Sequence, residues 1–409
     1  MRNREQTEAP SPGSMRGARV AVVRCPSYKP EVLSGAVHQS LELVGGLDSF
    51  LLHPGSRIFV KINHLSPHAP PDRAICTHPA FVREVLRGFL ERDVRLTVGD
   101  DVNFGRGDEF LTTGFRQICA ELGVPLVNLR ETGFAKIPLQ GWVLKSVYIA
   151  RPVLEADLVL NLPKLKTHSF TAFTGAIKNM YGVIPYGLRL DGHRRFLRSD
   201  LFSGMLVDVF SGVPRQFTIM DAVIGMEGEG PSSGVPKKIG LIISGADGVA
   251  VDAVASSIAG YEPLHVFTTS DAHVRNLGLG DLRSIEVVGD KLEDVQVRDF
   301  RPSSAATGLF RRWLPSFIYA YVSGELILTP EVIPAKCTAC LECIKICPAE
   351  TISLVRNKVR IEKARCIHCL CCHEVCVHRS IRLKQRAVGR VLRWGSQLYK
   401  MIKGLRKRR

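Results

Sequence analysis

No run in this 409-residue chain approaches the roughly eighteen consecutive apolar residues that a membrane-spanning helix needs. The opening residues, MRNREQTEAPSPGSMRGAR, have no apolar core of signal-peptide length. They read as a disordered leader over 1–15, with Met15 as an alternative start. Cysteine is scarce outside one segment: of the twelve, only Cys25, Cys76 and Cys119 precede residue 337, and these read as small buried apolar residues. Thiols used so sparingly imply a reducing compartment, so a cytoplasmic location is expected. Acidic residues are missing from Lys384–Arg409, which holds ten Lys or Arg. That stretch supplies most of the formal charge of +16 and leaves +6 for the rest. The basicity belongs to a tail rather than to a binding face, which argues against nucleic acid as a partner.

What is present is ordinary in bulk: 45% hydrophobic and 23% charged residues suit a soluble globular protein of two or three domains. Apolar runs at 18–25, 57–61, 94–100, 124–127, 156–162, 217–223, 238–244 and 284–288 read as strands. Between them, helical spacing is expected over 31–47, near 109–122 and over 248–259, and in a helix capped by Thr77 with Pro79 in its first turn. Such alternation implies a three-layer α/β domain with a largely parallel sheet, placed at 16–300. Residues 301–330 form an aromatic connecting segment, read either as a helix packing two domains together or as an interfacial membrane helix. The tail, 385–409, has the pattern of a basic amphipathic helix, suited to peripheral contact with an anionic membrane or to an acidic partner, or serving only solubility.

Residues 331–384 form the second domain. Cys337, Cys340, Cys343 and Cys347 are spaced C-x2-C-x2-C-x3-C before Pro348, and Cys366, Cys369, Cys372 and Cys376 repeat the spacing 29 residues on. This resembles, ligand by ligand, the bacterial two-cluster ferredoxins, a small α+β fold. The resemblance implies two [4Fe–4S] clusters with crossed ligation: Cys337, Cys340, Cys343 and Cys376 for one, Cys366, Cys369, Cys372 and Cys347 for the other. Structural zinc prefers two CxxC pairs held well apart, and disulfides suit small secreted chains. Val377 replaces the second proline of the pattern, and Cys371 is a spare thiol beside Cys372, with spacing favouring Cys372.

The densest polar stretch of the first domain is Asn161-Leu-Pro-Lys164-Leu-Lys166-Thr-His168, followed by Lys178 and Asn179. It begins where a strand ends, the place where open α/β sheets bind ligands. The gathered lysines favour a small anionic substrate, with a solvated lysine loop as the plain alternative. Asp100, Asp221 and Glu227 each follow an expected strand end and could share one pocket mouth, holding a metal or cofactor or acting as a base; helix capping is the alternative for the aspartates. The glycine-rich segment 227–234 could cradle an anion through its backbone N–H groups, although it meets neither the phosphate-loop nor the dinucleotide spacing.

The stretch NLPKLKTH…GAIKNMYG, with Lys61-x-Asn63, Thr77-His78-Pro79, Gly99-Asp100, Asp221-Ala222, Glu227–Gly234 and Asp247–Asp252, resembles the prokaryotic family called domain of unknown function 362. Members of that family often end in a two-cluster ferredoxin. His168, Lys178 and His193 are also similar in order and spacing to the His…Lys…His set of the nickel-pincer lactate racemases. That likeness would make Lys178 a cofactor anchor and the histidines nickel ligands or acid–base groups. Three functions stay open. The first is an oxidoreductase passing electrons between an external donor or acceptor and a pocket holding Lys61, Asn63, Lys164, Lys166, His168, Lys178 and Asn179. The second is an electron carrier or assembly protein that uses the α/β domain for docking. The third is a non-redox enzyme with structural clusters.

Overall fold

The computed structural model describes residues 18–102, 110–303 and 328–384. The leader, most of the aromatic connecting segment and the basic tail lie outside the described residues.

Among the described residues the strands follow in chain order: β1 (Ala18–Arg24), β2 (Ser56–Ile62), β3 (Val94–Asp100), β4 (Leu126–Asn128), β5 (Phe134–Pro138), β6 (Ser146–Ala150), β7 (Leu158–Leu162), β8 (Lys164–His168), β9 (Ala172–Thr174), β10 (Gln216–Glu227), β11 (Val235–Gly245), β12 (Ile285–Gly289), β13 (Thr329–Val332), β14 (Ile352–Val355), β15 (Lys358–Ile361) and β16 (Ile381–Lys384). The first domain is built on one sheet in the order β12-β1-β11-β10-β7-β2-β3-β4, with β8 and β9 appended to β10. Its pairings are parallel except β1–β11, β10–β11 and β8–β9. The largely parallel α/β class expected from the sequence is therefore present, with β9 and β11 running against the other strands.

Period-two alternation divides the core. Ile58, Val60 and Ile62 of β2 join Leu158, Leu160 and Leu162 of β7 in one layer, where the helices Pro30–Glu42, Pro79–Leu90 and Phe115–Glu121 pack. Phe59 and Val159 point the other way, into a layer with the helix Ser199–Ser211. Helix Gly248–Ile258 covers the same face beside β1 and β11. Three layers result.

Several local expectations need correction. The cap of helix Pro79–Leu90 is His78, whose ring accepts the Ala80 N–H at 3.2 Å. Thr77 instead ties Asn63 N–H to the Leu162 carbonyl through its hydroxyl. The helix expected near 109–122 spans Phe115–Glu121. Lys164–His168 is a strand with every residue buried, not a solvated loop. β10 does not stop at Val223 but runs to Glu227, so Asp221 lies inside a strand. The hairpin β5–β6 and the helices Tyr186–Arg195 and Ser199–Ser211 carried no clear signal in the sequence.

The second domain repeats itself. β13, helix Glu342–Lys345 and β14 recur 29 residues later as β15, helix Cys371–Val375 and β16. Each repeat pairs with the other, β13 with β16 and β14 with β15, all antiparallel. The left-handed backbone positions recur at the same offset: Ala339 and His368, Leu341 and Leu370, Glu350 and Arg379.

Candidate functional site

The main pocket lies where strand order reverses. From β2 the chain builds outward through β3 to β4, then returns with β7 on the other side of β2. Carboxyl ends of strands at such a switch leave a crevice. Past Pro163 the chain leaves β2 and follows β10 as β8, Lys164 opposite Asp221 and Lys166 opposite Met226. The resulting half-open crevice spans about 550 Å³, its solvent-open mouth included, and its polar wall includes Lys61, Asn63, Asp100, Lys164, Lys166, His168, Lys178 and Asn179. Sequence reasoning missed His64, Tyr181, Arg189 and Glu374, which line it as well.

Each cation is held differently. Lys61 Nζ sits 2.7 Å from Asp100 Oδ2, both groups buried, and donates to the Ile62 carbonyl. Burial lowers the Lys61 pKa, an effect Asp100 opposes. Gly182 closes over this pair; a Cβ there would stand 2.5 Å from Asp100 Oδ1 and 2.8 Å from Lys61 Nζ. Lys164 Nζ donates to Asp221 Oδ2 and to Tyr28 Oη, each at 2.7 Å, while Tyr28 Oη donates to Asp221 Oδ1 at 2.8 Å. His78 N–H also donates to Asp221, and its ring stacks on Tyr28 with centroids 3.7 Å apart. Asp221 is thus a saturated structural anchor behind the pocket rather than part of its mouth. Lys166 Nζ donates to Asn63 Oδ1 at 2.7 Å and to the Ile75 carbonyl at 2.6 Å, and burial pushes its pKa down to about 7. An amide ladder runs on from Asn63 Nδ2 to Asn179 Oδ1 and from Asn179 Nδ2 to Asn161 Oδ1.

His168 has a defined tautomer. Its Nδ1 accepts the N–H groups of Phe170 and Thr171, so the proton sits on Nε2, 3.4 Å from Glu374 Oε1. That is ion-pair distance without hydrogen-bond alignment. Burial, then the neighbouring Lys178, pushes the His168 pKa down to about 4. His193 is not on the pocket wall. It is buried against Phe202, centroids 4.5 Å apart, and its ring lies near the Cys369 backbone. Burial holds it near 4 too. Glu227 does not line the cavity; it pairs with Arg301 at 2.7 Å. Segment 227–234 contacts the second domain, and its Pro231 also lines the cavity. Its Glu229 carbonyl accepts from His373 Nε2, its Gly234 carbonyl accepts from Arg379, and Ser232 Oγ bonds the Glu374 carbonyl.

The cysteines gather in two recesses. Cys337, Cys340, Cys343 and Cys376 wall one of about 360 Å³, and Cys347, Cys366, Cys369 and Cys372 wall another of about 300 Å³. Cys371 lines neither; it is buried near Lys178 and Tyr181. Among the described residues no three His, Cys, Asp or Glu side chains close around a point as one metal ion requires. The thiols of each quartet stand apart around a space.

Residues 58–257 match the model of a family described only as a domain of unknown function, DUF362. The match takes in the pocket lysines and ends before the cysteine-rich domain. A thylakoid-associated protein of Synechocystis sp. is 28% identical over 251 residues, 61% of this chain and 77% of that protein. Among solved structures, the lactate racemase apoprotein from Thermoanaerobacterium thermosaccharolyticum aligns with a TM-score of 0.39 and 13% identity, over 62% of this chain and 59% of that one. A Thermotoga maritima protein aligns with a TM-score of 0.36 and 15% identity, over 55% and 57%. The chain thus spans less than two thirds of the length of either solved structure. Among the described residues no helix is long and apolar enough to cross a membrane.

Proposed function

We propose that this protein binds two [4Fe–4S] clusters and passes single electrons between an external carrier and a small anionic substrate held in the lysine-rich pocket. The observation that carries the reading is the composition of the two recesses, each walled by three cysteines of one run and the fourth of the other. Four thiols spread around a space suit a cube whose four irons each take one thiolate, whereas zinc draws its ligands about one centre. Burial pushes the Cys343 thiol up to about 12, so a thiolate there calls for the positive charge of bound iron. When bound, such clusters exchange one electron at a time.

The surroundings of the quartets order the route. Cys340 is exposed, which turns its quartet toward an outside donor or acceptor. Cys369 and Cys372 are buried, and the helix carrying Cys372 also presents Glu374 to the pocket. His193 lies between the Cys369 backbone and the aromatic wall behind Lys178. In the pocket, the Lys166 amine, with a pKa of about 7, is able to hold or deliver a proton to the substrate, and neutral His168 offers its Nε2–H as a hydrogen-bond donor. The basic residues of 385–409 and a thylakoid-associated relative support peripheral membrane contact.

Anaerobic purification with iron and acid-labile sulfide analysis tests the proposal. About eight of each per chain are expected; stoichiometric zinc in their place overturns it. His168→Ala and Lys178→Ala should abolish turnover with the cluster spectra intact. Full turnover in cluster-ligand variants would reduce the clusters to scaffolding.

A further inference from the structure

The charges around the pocket do not cancel. Lys61 is matched by Asp100, Lys164 by Asp221 and Arg189 by Asp101, each at 2.7 Å. The remaining carboxylate, Glu374, acts on Lys178, because burial keeps His168 and His193 neutral at neutral pH. Lys166 has no carboxylate partner: the two groups it donates to, the Asn63 side-chain carbonyl and the Ile75 carbonyl, are uncharged. Lys178, although balanced in charge, has no hydrogen-bond acceptor among the described residues. Its ammonium lies over the rings of Tyr181 and Phe202, with centroids 5.5 and 5.6 Å away. One pocket therefore holds a cation without a countercharge and another without an acceptor, and the two repel. Both conditions are costly in a buried site and are relieved by one ligand.

Resting on the pocket assignment above, we infer that the substrate is a small monocarboxylate whose oxygens bridge the ammonium groups of Lys166 and Lys178. One negative charge balances the surplus. A dianion would overshoot it, and a neutral molecule would leave it standing. The two carboxylate oxygens supply the acceptors that Lys178 lacks and that the third proton of Lys166 can use.

Proton linkage follows from the same arrangement. Burial is the largest influence on Lys166; Cys76 and Asp100 raise its pKa, while Lys178 and Lys164 lower it, and the balance is about 7. A carboxylate beside it raises that value. Binding therefore takes up a proton above neutrality, and affinity is flat below about pH 7 and falls by up to about tenfold per pH unit between that value and the raised one.

Calorimetric titration of acetate, glycolate and pyruvate into the anaerobically reconstituted full-length protein tests this, in buffers of differing ionisation heat between about pH 6 and pH 9. Saturable binding with proton uptake is expected, and phosphate should bind more weakly than the monocarboxylates at the alkaline end. Lys178→Met should weaken binding at least about tenfold. Lys166→Arg should keep affinity and lose its pH dependence, and Lys166→Met should lose affinity at every pH. No saturable binding of any of the three at millimolar concentration overturns the inference, as does binding that neither Lys166→Met nor Lys178→Met changes. Iron and sulfide contents are read on the same samples. A cluster-free protein that still binds carboxylate contradicts only the redox reading, and a fully loaded protein that binds none contradicts only this one.

Discussion

His168 and Glu374 face each other at 3.4 Å across the seam between the large sheet and the cysteine-rich domain. Burial alone would raise the Glu374 pKa, but His168, His193 and Lys178 together outweigh it and hold the carboxyl below its ordinary range. With both imidazoles neutral near pH 7, the countercharge there is Lys178. A carboxyl depressed in the folded state adds stability above its unfolded pKa and loses it only as pH falls through the lower folded value. Glu374 therefore keeps its contribution in mild acid, whereas His168 and His193, held near 4 by burial, weaken the seam there because the unfolded imidazoles take up protons first. Glu374→Ala should cost roughly 3 kcal/mol in chemical denaturation and expose the seam to limited proteolysis. An unchanged midpoint and cleavage pattern would show that Glu374 does not join the two domains.

Lys61 and Asp100 form a buried pair at the carboxyl ends of β2 and β3. Asp100→Asn strands the ammonium and should cost roughly 3–5 kcal/mol, whereas Lys61→Met with Asp100→Asn should recover a large part. A double-mutant cycle in urea is expected to give a coupling energy of about 2 kcal/mol. Additive losses would mean that the two charges do not support each other.

Asp252 brings a pH dependence of opposite sign to that of Glu374. Its carboxylate accepts the Ala176 and Ile177 N–H groups at 2.6 and 3.1 Å, yet burial outweighs these bonds and pushes the pKa up to about 7. Folding thus favours the protonated acid. The benefit is complete below the unfolded carboxyl pKa and lost as pH rises through about 7. Asp252→Asn should flatten the decline in stability between about pH 4 and pH 7, a decline bounded at roughly 4 kcal/mol. Parallel curves for the two proteins would refute the assignment.

Cys371 and Cys372 are neighbours in sequence with different surroundings. Cys372 walls a recess, and Cys371 is buried near Lys178 and Tyr181. Cys372→Ser is expected to remove about half of the bound iron and sulfide, and Cys371→Ser to leave both at full content. Equal losses in the two variants would mean that either thiol can serve.

Much of the strand and helix order was legible because apolar periodicity is a local property. Val94–Asp100 coincides with β3, and the other main strands shift by a few residues at their ends. The pocket was legible in part: Lys164, Lys166, His168, Lys178 and Asn179 share one motif-rich stretch, and the structure brings all five to the cavity wall. Arg189 and Glu374 were not, because they come from a helix of weak periodicity and from the other domain. Glu227 and Asp221 misled because an end of a strand was expected where β10 continues.

By itself the sequence determined the alternating elements and the two cysteine runs, since both are written in spacings of a few residues along the chain. Tertiary structure alone decided which charges meet. The reversal of strand order at β2 and β7, the departure of β8 along β10 and the docking of helix Cys371–Val375 unite residues far apart in the chain. Burial at that junction then sets their charge states, because the cost of an ion depends on what surrounds it and not on its neighbours in sequence.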